Sequence, residues 1–254
     1  MPTKAYAGTQ SVRRALALLK EFTDRRPEWG LSELARAVGL HKTTAYRLLT
    51  ALEAEGMVAR SGDGDAWRLG TAAITLGAFA LRSNDLVTTA RPELEALVRE
   101  TGETASLEVL AGDEVLILDG VEGPSVVGAS SEVGTRWPAH ATSTGKALLA
   151  VEEGTPRRRL RRYTSRTITD PARLARELER VRKRGWATAV EELEEGYVAV
   201  GAAVRDHAGR VVAAVSVGGP AARLTAARIP HMARDVVRAA DRISRRLGGA
   251  GSSG

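Results

Sequence analysis

The chain contains no cysteine among its 254 residues. This absence excludes disulfide bonds, thiolate zinc sites and cysteine nucleophiles, and it fits a reducing interior. The sequence also lacks a run of about 18 apolar residues, which a membrane-spanning helix needs. Its N-terminus, MPTKAYAGTQ, lacks the apolar core of a signal peptide. We therefore expect a cytoplasmic protein with no membrane partner.

Histidine is scarce as well, and the four that occur share no short spacing of the kind that binds zinc. We expect neither a metal nor a cofactor. With 43% hydrophobic and 27% charged residues, the composition is that of a globular protein. The length accommodates two domains, each with its own core. The net charge of +6 is too modest to indicate a nucleic-acid partner by itself.

Residues 31–56 contain two amphipathic helical patterns separated by a short break. Leu34, Ala35 and Val38 share one face of the first pattern. Gly39 can take the positive φ of a tight turn, and the small Ala35 lets the two helices approach closely. This order is typical of a helix-turn-helix. The apolar face of the second pattern comprises Ala45, Leu48, Leu49 and Leu52.

The second helix begins with short hydroxyls and cations on the side away from its apolar face, a surface that can approach phosphates and base edges. Two short strand patterns follow, at 57–60 and 66–69, with a turn rich in Gly and Asp between them. This wing favours DNA binding over a helical hairpin whose polar side is merely solvated. We predict base contacts from Lys42, Thr43, Thr44 and Arg47 with Tyr46 beside them, and phosphate contacts from His41, Arg60 and Arg68.

The front domain is predicted to span residues 1–70, with a flexible arm over 1–9, a first helix over 10–22 and a loop over 23–30. The apolar spacing of the first helix places Val12, Ala15, Leu16, Leu19 and Phe22 on its core face. Residues 71–86 are predicted to form a linker helix that packs against another subunit, because no partner for its apolar side chains is evident in the front domain.

The rear domain is predicted over residues 87–248, followed by a disordered tail at 249–254. A helix ending near 101 precedes a hairpin of strands at 104–110 and 114–119. A possible third strand covers 126–129, and further strands cover 187–190, 197–204 and 211–217. Helices are predicted after 143, over 171–184 and over 226–247. The fold class is therefore α+β.

Several motifs agree in order and spacing with one family: the leading QSVRRALALL, the helix-turn-helix and wing, the RLG after the wing, HATSTGKALLA, and the stretch 185–206 with its acidic Glu192. The chain resembles the IclR family of bacterial transcriptional regulators, and it departs from the family pattern at Ala189 and Arg205. The resemblance implies a winged helix-turn-helix that binds double-stranded DNA at a palindromic operator as a homodimer or homotetramer. It also implies a GAF-like α/β effector-binding domain with an antiparallel six-stranded sheet, and regulation, commonly repression, rather than catalysis.

The resemblance also implies an effector pocket lined by Ser143, Thr144, Ala189, Ala199, Ser216 and Gly218. Members that bind small acids carry Asp and Cys at the positions of Ala189 and Ala199, and often Ser at that of Gly218. Smaller, apolar residues here predict an organic acid that is bulkier or more apolar than a two- or three-carbon acid. Its carboxylate is expected to face the backbone amides of Ser143 and Thr144. Core packing alone is the alternative role for these residues.

Two other functions fit parts of the sequence. Ser143 to Lys146 spells S-x-x-K, the nucleophile motif of penicillin-recognising serine hydrolases. Those enzymes need a second motif ending in Asn, and Asn84 is the only asparagine here. A metabolite sensor whose front domain contacts protein instead of DNA is the second alternative.

The five arginines within 157–162 fit either a second nucleic-acid surface or an exposed helix face.

Overall fold

The computed structural model describes residues 9–23, 26–62, 66–124, 132–151 and 160–248. The chain divides into two compact units, one ending at Ser83 and the other beginning at Asn84. The domain boundaries given above, at residues 70 and 86, stay predictions. Most of the predicted arm, the possible strand at 126–129, most of the arginine run and the tail at 249–254 lie outside the described residues.

The first unit contains the predicted winged helix-turn-helix. Its elements, in chain order, are α1 Gln10–Lys20, β1 Glu28–Gly30, α2 Leu31–Ala37, α3 Lys42–Ala54, β2 Val58–Ser61, β3 Ala66–Leu69 and α4 Thr71–Arg82. The turn between α2 and α3 passes through Gly39 with φ of 67°, a conformation that a residue with a Cβ adopts only under strain. Ala35 and Ala45 are buried in the angle between α2 and α3, as their small size predicts.

The wing sheet has three antiparallel strands in the order β1-β3-β2. The prediction of a loop over 23–30 is wrong at its end, because residues 28–30 form β1. Trp29 pairs with Trp67 across the sheet, and its Nε1 donates to the carbonyl of Glu21 at 2.9 Å. A strand of three residues is too short to show the alternation by which strands are recognised in a sequence.

The predicted core face of α1 is partly wrong. Leu18 is fully buried, whereas Val12 and Leu16 are 59% and 49% exposed. Only part of the predicted face meets the core of the first unit, where Phe22 lies together with Leu18, a residue that the spacing did not place on that face.

Helix α4 has no buried residue within the chain. Ile74, Leu76 and Phe79 are 68%, 58% and 57% exposed. An amphipathic surface helix normally keeps its apolar stripe against a core, and three large apolar side chains exposed on one short helix are unusual in a monomer. This finding agrees with the sequence-based expectation that the helix lacks a partner in the front domain.

The second unit is built on the predicted six-stranded sheet. Its strands are β4 Thr104–Ala111, β5 Glu114–Val121, β6 Arg136–Pro138, β7 Ala187–Val190, β8 Tyr197–Arg205 and β9 Val211–Pro220, in the spatial order β6-β5-β4-β9-β8-β7. Every pairing is antiparallel. The sequence did not predict β6. The helices are α5 Asp85–Thr101, α6 Ser143–Leu149, α7 Pro171–Arg184 and α8 Ile229–Arg246.

Two cores lie on the two faces of this sheet. One face packs against α5 and α8 through residues such as Leu94, Val215 and Val236. The other face packs against α6 and α7 through residues such as Leu148 and Leu174. Because side chains alternate along a strand, Ala105 and Leu107 of β4 enter the first core, while Thr104, Ser106 and Glu108 face the side that carries α6.

None of the helices in the described part of the chain is long and apolar enough to cross a membrane.

Candidate nucleic-acid interface and ligand pocket

Helix α3 exposes the side chains that were predicted to meet DNA. His41, Lys42, Thr43, Tyr46 and Arg47 are exposed, whereas Thr44 is half-buried. His41 is the N-cap residue, with φ of −64° and ψ of 142°, and its side chain makes no cap hydrogen bond. The first amides of a helix with no side-chain cap are free to bind an anion. The beginning of α3 therefore offers cations, hydroxyls and amides on one accessible surface.

The two wing arginines lie on opposite faces of the wing sheet. Arg60 is paired with Trp67, and Arg68 is paired with Ala59. Because successive side chains of a strand point to opposite faces of the sheet, the side chains of Arg60 and Arg68 lie on different faces. The guanidinium of Arg60 lies 3.7 Å from the centre of the Trp67 ring and 5.7 Å from that of Tyr46. Its Nε is 3.6 Å from Glu53 Oε1. Arg60 thus ties the wing to α3, while Arg68 is exposed.

In the second unit, a patch of small residues in the middle of the sheet forms the floor of a pocket. Ala189, Ala199 and Thr104 belong to one row across the strands, together with Gly218, against which the Tyr197 hydroxyl lies. The next row includes Gly201, Ser216 and Ser106. Short side chains leave a depression in the sheet surface. The beginning of α6 covers one side of it, because Gly201 has no side chain: a Cβ there would be 2.9 Å from the backbone N of Thr144.

The pocket contains about 540 Å³ of empty space, part of it open to solvent. Of the six predicted pocket residues, five lie together in its wall: Ser143, Thr144, Ala189, Ala199 and Ser216. Gly218 is not in the wall, because the Tyr197 hydroxyl lies against it, where a Cβ at residue 218 would collide. The other lining residues are Thr104, Ser106, Glu108, Ile117, Trp137, Ala141, Thr142, Glu192, Leu193 and Tyr197.

A buried carboxyl lies among these hydroxyls. Glu108 Oε1 accepts a hydrogen bond from Ser106 Oγ at 2.8 Å, and Glu108 Oε2 accepts one from Thr144 Oγ1. Ser106 Oγ is also 2.9 Å from Ser216 Oγ. Burial raises the pKa of Glu108, and the two hydroxyl donors oppose that rise. Burial likewise raises the pKa of the Tyr197 phenol, with a further contribution from the nearby carboxyl of Glu108.

A buried ion pair lies beside the pocket. Lys146 Nζ donates to Glu192 Oε1 at 2.5 Å, and both side chains are almost completely buried. Glu192 Oε2 has no hydrogen-bond partner among the described residues. Burial raises the pKa of Glu192, although the Lys146 ammonium acts in the opposite direction. The acidic position of the family motif thus contacts the lysine of the S-x-x-K segment, a pairing that the sequence did not indicate.

His140 does not belong to the pocket lining. Its Nε2 is 2.9 Å from the carbonyl of Arg161, and burial lowers the pKa of the imidazole. The sequence missed Glu108, Tyr197 and Trp137, although one signal was available. Thr104, Ser106 and Glu108 alternate with apolar residues along β4, a pattern usually taken for a solvent-facing side of a strand.

Comparisons with known proteins agree with this architecture. Residues 11–62 match the description "IclR helix-turn-helix domain", and residues 78–245 match "Bacterial transcriptional regulator IclR C-terminal". The HTH-type transcriptional regulator BhcR of Paracoccus denitrificans is 37% identical over 84% of this chain and 79% of its own length. The transcriptional repressor IclR of Escherichia coli is 33% identical over 94% of this chain and 90% of its own length.

Among solved structures, an IclR homologue from Microbacterium hydrocarbonoxydans, complexed with 4-hydroxybenzoate, is 28% identical with a TM-score of 0.78. The alignment covers 93% of this chain and 98% of that one. The matches confirm the fold and the family expected from the motifs. The chain therefore belongs to the IclR family of bacterial transcriptional regulators.

Proposed function

We propose that this regulator binds a palindromic operator as a homodimer or homotetramer and responds to a small organic acid with an apolar or bulky part. DNA binding is supported by the beginning of α3, which has no side-chain cap and exposes Lys42, Thr43, Tyr46 and Arg47 together. Lys42, Thr43, Thr44 and Arg47 are assigned to base edges, and His41, Arg60 and Arg68 to phosphates. Because the bacterial chromosome lies in the cytoplasm, we expect the protein to act there.

The proposed ligand class rests on the pocket wall. Ile117, Trp137 and Leu193 give it apolar surface, and Ala189 and Ala199 leave space on its floor. A pocket with apolar walls and a few placed polar groups is typical of a site for a small organic molecule. The homologue complexed with 4-hydroxybenzoate supports this class, since that compound combines a carboxylate with an aromatic ring.

The proposed oligomer rests on α4. An apolar helix without a buried residue in its own chain gains stability when a second copy covers it. A two-fold symmetric protein also matches a palindromic site, because each subunit reads one half. Ligand binding would then favour one arrangement of the DNA-binding domains, by no more than the ligand's difference in affinity for the two arrangements.

A hydrolase function is not supported by the pocket. The S-x-x-K mechanism requires the lysine to take a proton from the serine. Lys146 instead donates to Glu192 in a buried ion pair, so its Nζ is already engaged by a carboxylate. We therefore propose that the protein is not an enzyme.

The experiment that tests DNA binding is fluorescence anisotropy with duplexes from upstream of the gene, measured over a range of salt concentrations. A regulator that neutralises phosphates loses affinity steeply as salt rises, because counterions are released on binding. A sensor that works through protein contacts would bind these duplexes weakly at every salt concentration. Arg99→Ala is a suitable control, because Arg99 is exposed on α5 in the other unit.

A further inference from the structure

The carboxyl of Glu108 is held in an unusual environment for an acidic side chain. It is buried, and its partners in the described part of the chain are two hydroxyl groups, neither of which is a cation. No lysine, arginine or histidine occurs among the described residues that line the pocket. Lys146, the nearby ammonium, is paired with Glu192. A buried carboxyl without a cationic partner lowers stability, so packing does not explain its presence.

The hydroxyl groups around Glu108 are arranged for an acceptor. Ser106 has one hydroxyl proton, which it donates to Glu108 Oε1, so the 2.9 Å contact with Ser216 requires Ser216 to be the donor. Thr144 donates to Glu108 Oε2. The protons of all three hydroxyls thus point along the network toward the carboxyl. An ionised carboxylate has about four acceptor positions, and these contacts use two of them.

Glu108 lines the pocket, and its contacts with Ser106 and Thr144 leave it capacity to accept a further hydrogen bond. We infer that Glu108 is the specificity-determining residue of the pocket and accepts a hydrogen bond from a hydroxyl group of the ligand. The inference rests on the proposed ligand-binding function and names the ligand as a hydroxylated organic acid.

The orientation of the ligand differs from the one expected from the sequence. A ligand carboxylate at the amides of Ser143 and Thr144 would approach the Glu108 carboxyl, which contacts the Thr144 side chain. Two carboxylates so close repel each other in a site with low dielectric constant. The hydroxyl of the ligand therefore lies at Thr144 and Glu108, and its carboxylate lies farther along the pocket. The same repulsion should weaken the binding of a dicarboxylic acid that places its second carboxylate at this position.

Isothermal titration calorimetry without DNA tests this inference with 4-hydroxybenzoate, 3-hydroxybenzoate, benzoate and terephthalate as probes. We expect the wild-type protein to bind at least one hydroxybenzoate about ten- to a hundredfold more tightly than terephthalate, which lacks the hydroxyl donor and adds a second carboxylate. Benzoate should have an intermediate affinity, because it lacks the hydroxyl donor but adds no charge. In Glu108→Gln, which keeps the shape but not the charge, the difference between hydroxybenzoate and terephthalate should shrink at least several-fold.

Glu114→Gln is the matched control, because Glu114 lies on β5 and pairs weakly with Arg136 at 3.8 Å outside the pocket. Equal or tighter binding of terephthalate by the wild type would overturn the inference. Failure of all probes to bind at millimolar concentration would overturn it too, as would an unchanged order of affinities in a folded Glu108→Gln protein. These outcomes do not depend on operator binding. DNA binding that responds to another compound would support the proposed function even if the proposed role of Glu108 were wrong.

Discussion

Lys146 and Glu192 are 46 residues apart in the sequence, and their side chains meet at 2.5 Å inside the second unit. Lys146 lies on α6, whose first residues line the pocket, and Glu192 follows β7 and lines the pocket itself. The ion pair therefore fixes α6 relative to the edge of the sheet. A lysine in an apolar helix is thus explained by its partner.

Lys146→Met should lower the free energy of unfolding by about 3–5 kcal/mol, because the Glu192 carboxylate would be left buried without a cation. Urea denaturation followed by circular dichroism measures the loss. The double variant Lys146→Met, Glu192→Leu should recover most of it, since apolar side chains replace a buried ion pair at little cost. Lys183→Met is the control, because its contact with Glu179 at 3.0 Å is exposed, and no measurable change is expected. An equally small effect at Lys146 would show that the pair does not stabilise the fold.

Glu108→Gln should be at least as stable as the wild type at neutral pH. Burial raises the pKa of Glu108 in the folded protein above that in the unfolded chain. The folded state therefore binds more protons between these two pKa values, and wild-type stability falls as pH rises through this interval. Each pKa unit corresponds to about 1.4 kcal/mol at neutral pH.

Thermal unfolding of both proteins at pH 4 and pH 7 tests the sign of this difference. The advantage of Glu108→Gln should be present at pH 7 and should shrink toward pH 4, where the carboxyl of the wild type is mostly protonated in both states. A variant that is clearly less stable at pH 7 would indicate that Glu108 serves the packing of the fold. Burial also shifts the pKa values of Glu192 and His140, but both residues are present in both proteins, so their contributions cancel in the comparison.

The helices and strands of both units were easier to predict from the sequence than the pocket, because they depend on local patterns, whereas the pocket depends on contacts between distant segments. The turn between α2 and α3 was predictable because Gly39 and Ala35 meet local requirements, a positive φ and a close helix approach. The role of Glu108 depends on strands and a helix distant in sequence that enclose one face of β4. Nothing local distinguishes an alternating polar face that meets solvent from one that lines a cavity.

Gly218 and Val12 illustrate the same limit. Gly218 was expected in the pocket wall, but the Tyr197 hydroxyl from the neighbouring strand lies against it. Val12 was expected in the core, because helical spacing shows that an apolar face exists and not which core it meets. The hydrogen bond between Thr144 and Glu108 is likewise a contact between elements, and only the assembled sheet reveals it.

Arg47→Ala should remove the preference for the operator, with a loss of about 1–3 kcal/mol at the base pair that it contacts. Binding to unrelated DNA should fall only slightly, because the phosphate contacts remain. Competition anisotropy with operator and scrambled duplexes measures this ratio. Arg68→Ala is the comparison, since loss of a phosphate contact weakens all sequences alike and lowers the salt dependence. If Arg47→Ala retains the full ratio, Arg47 does not read bases.

Phe79→Glu should convert the proposed oligomer to a smaller species, because a carboxylate would be placed on the apolar surface of α4. Analytical ultracentrifugation at several protein concentrations measures the association. Circular dichroism should remain unchanged, since Phe79 is 57% exposed and contributes little to the core of its own chain. Val133→Glu, at an exposed apolar residue in the second unit, should leave the association constant unchanged. Unaltered assembly of Phe79→Glu would place the interface elsewhere.

We propose that a ligand in the pocket alters DNA binding by α3. The most direct measurement is a footprint of the purified protein on DNA upstream of its gene and neighbouring genes, with and without a panel of hydroxylated, aromatic and aliphatic acids. We expect a protected palindrome whose protection at least one hydroxylated acid weakens or strengthens, and we expect this effect to be lost in Glu108→Gln. The absence of any protected site, even at low salt and with every compound, would contradict the proposal.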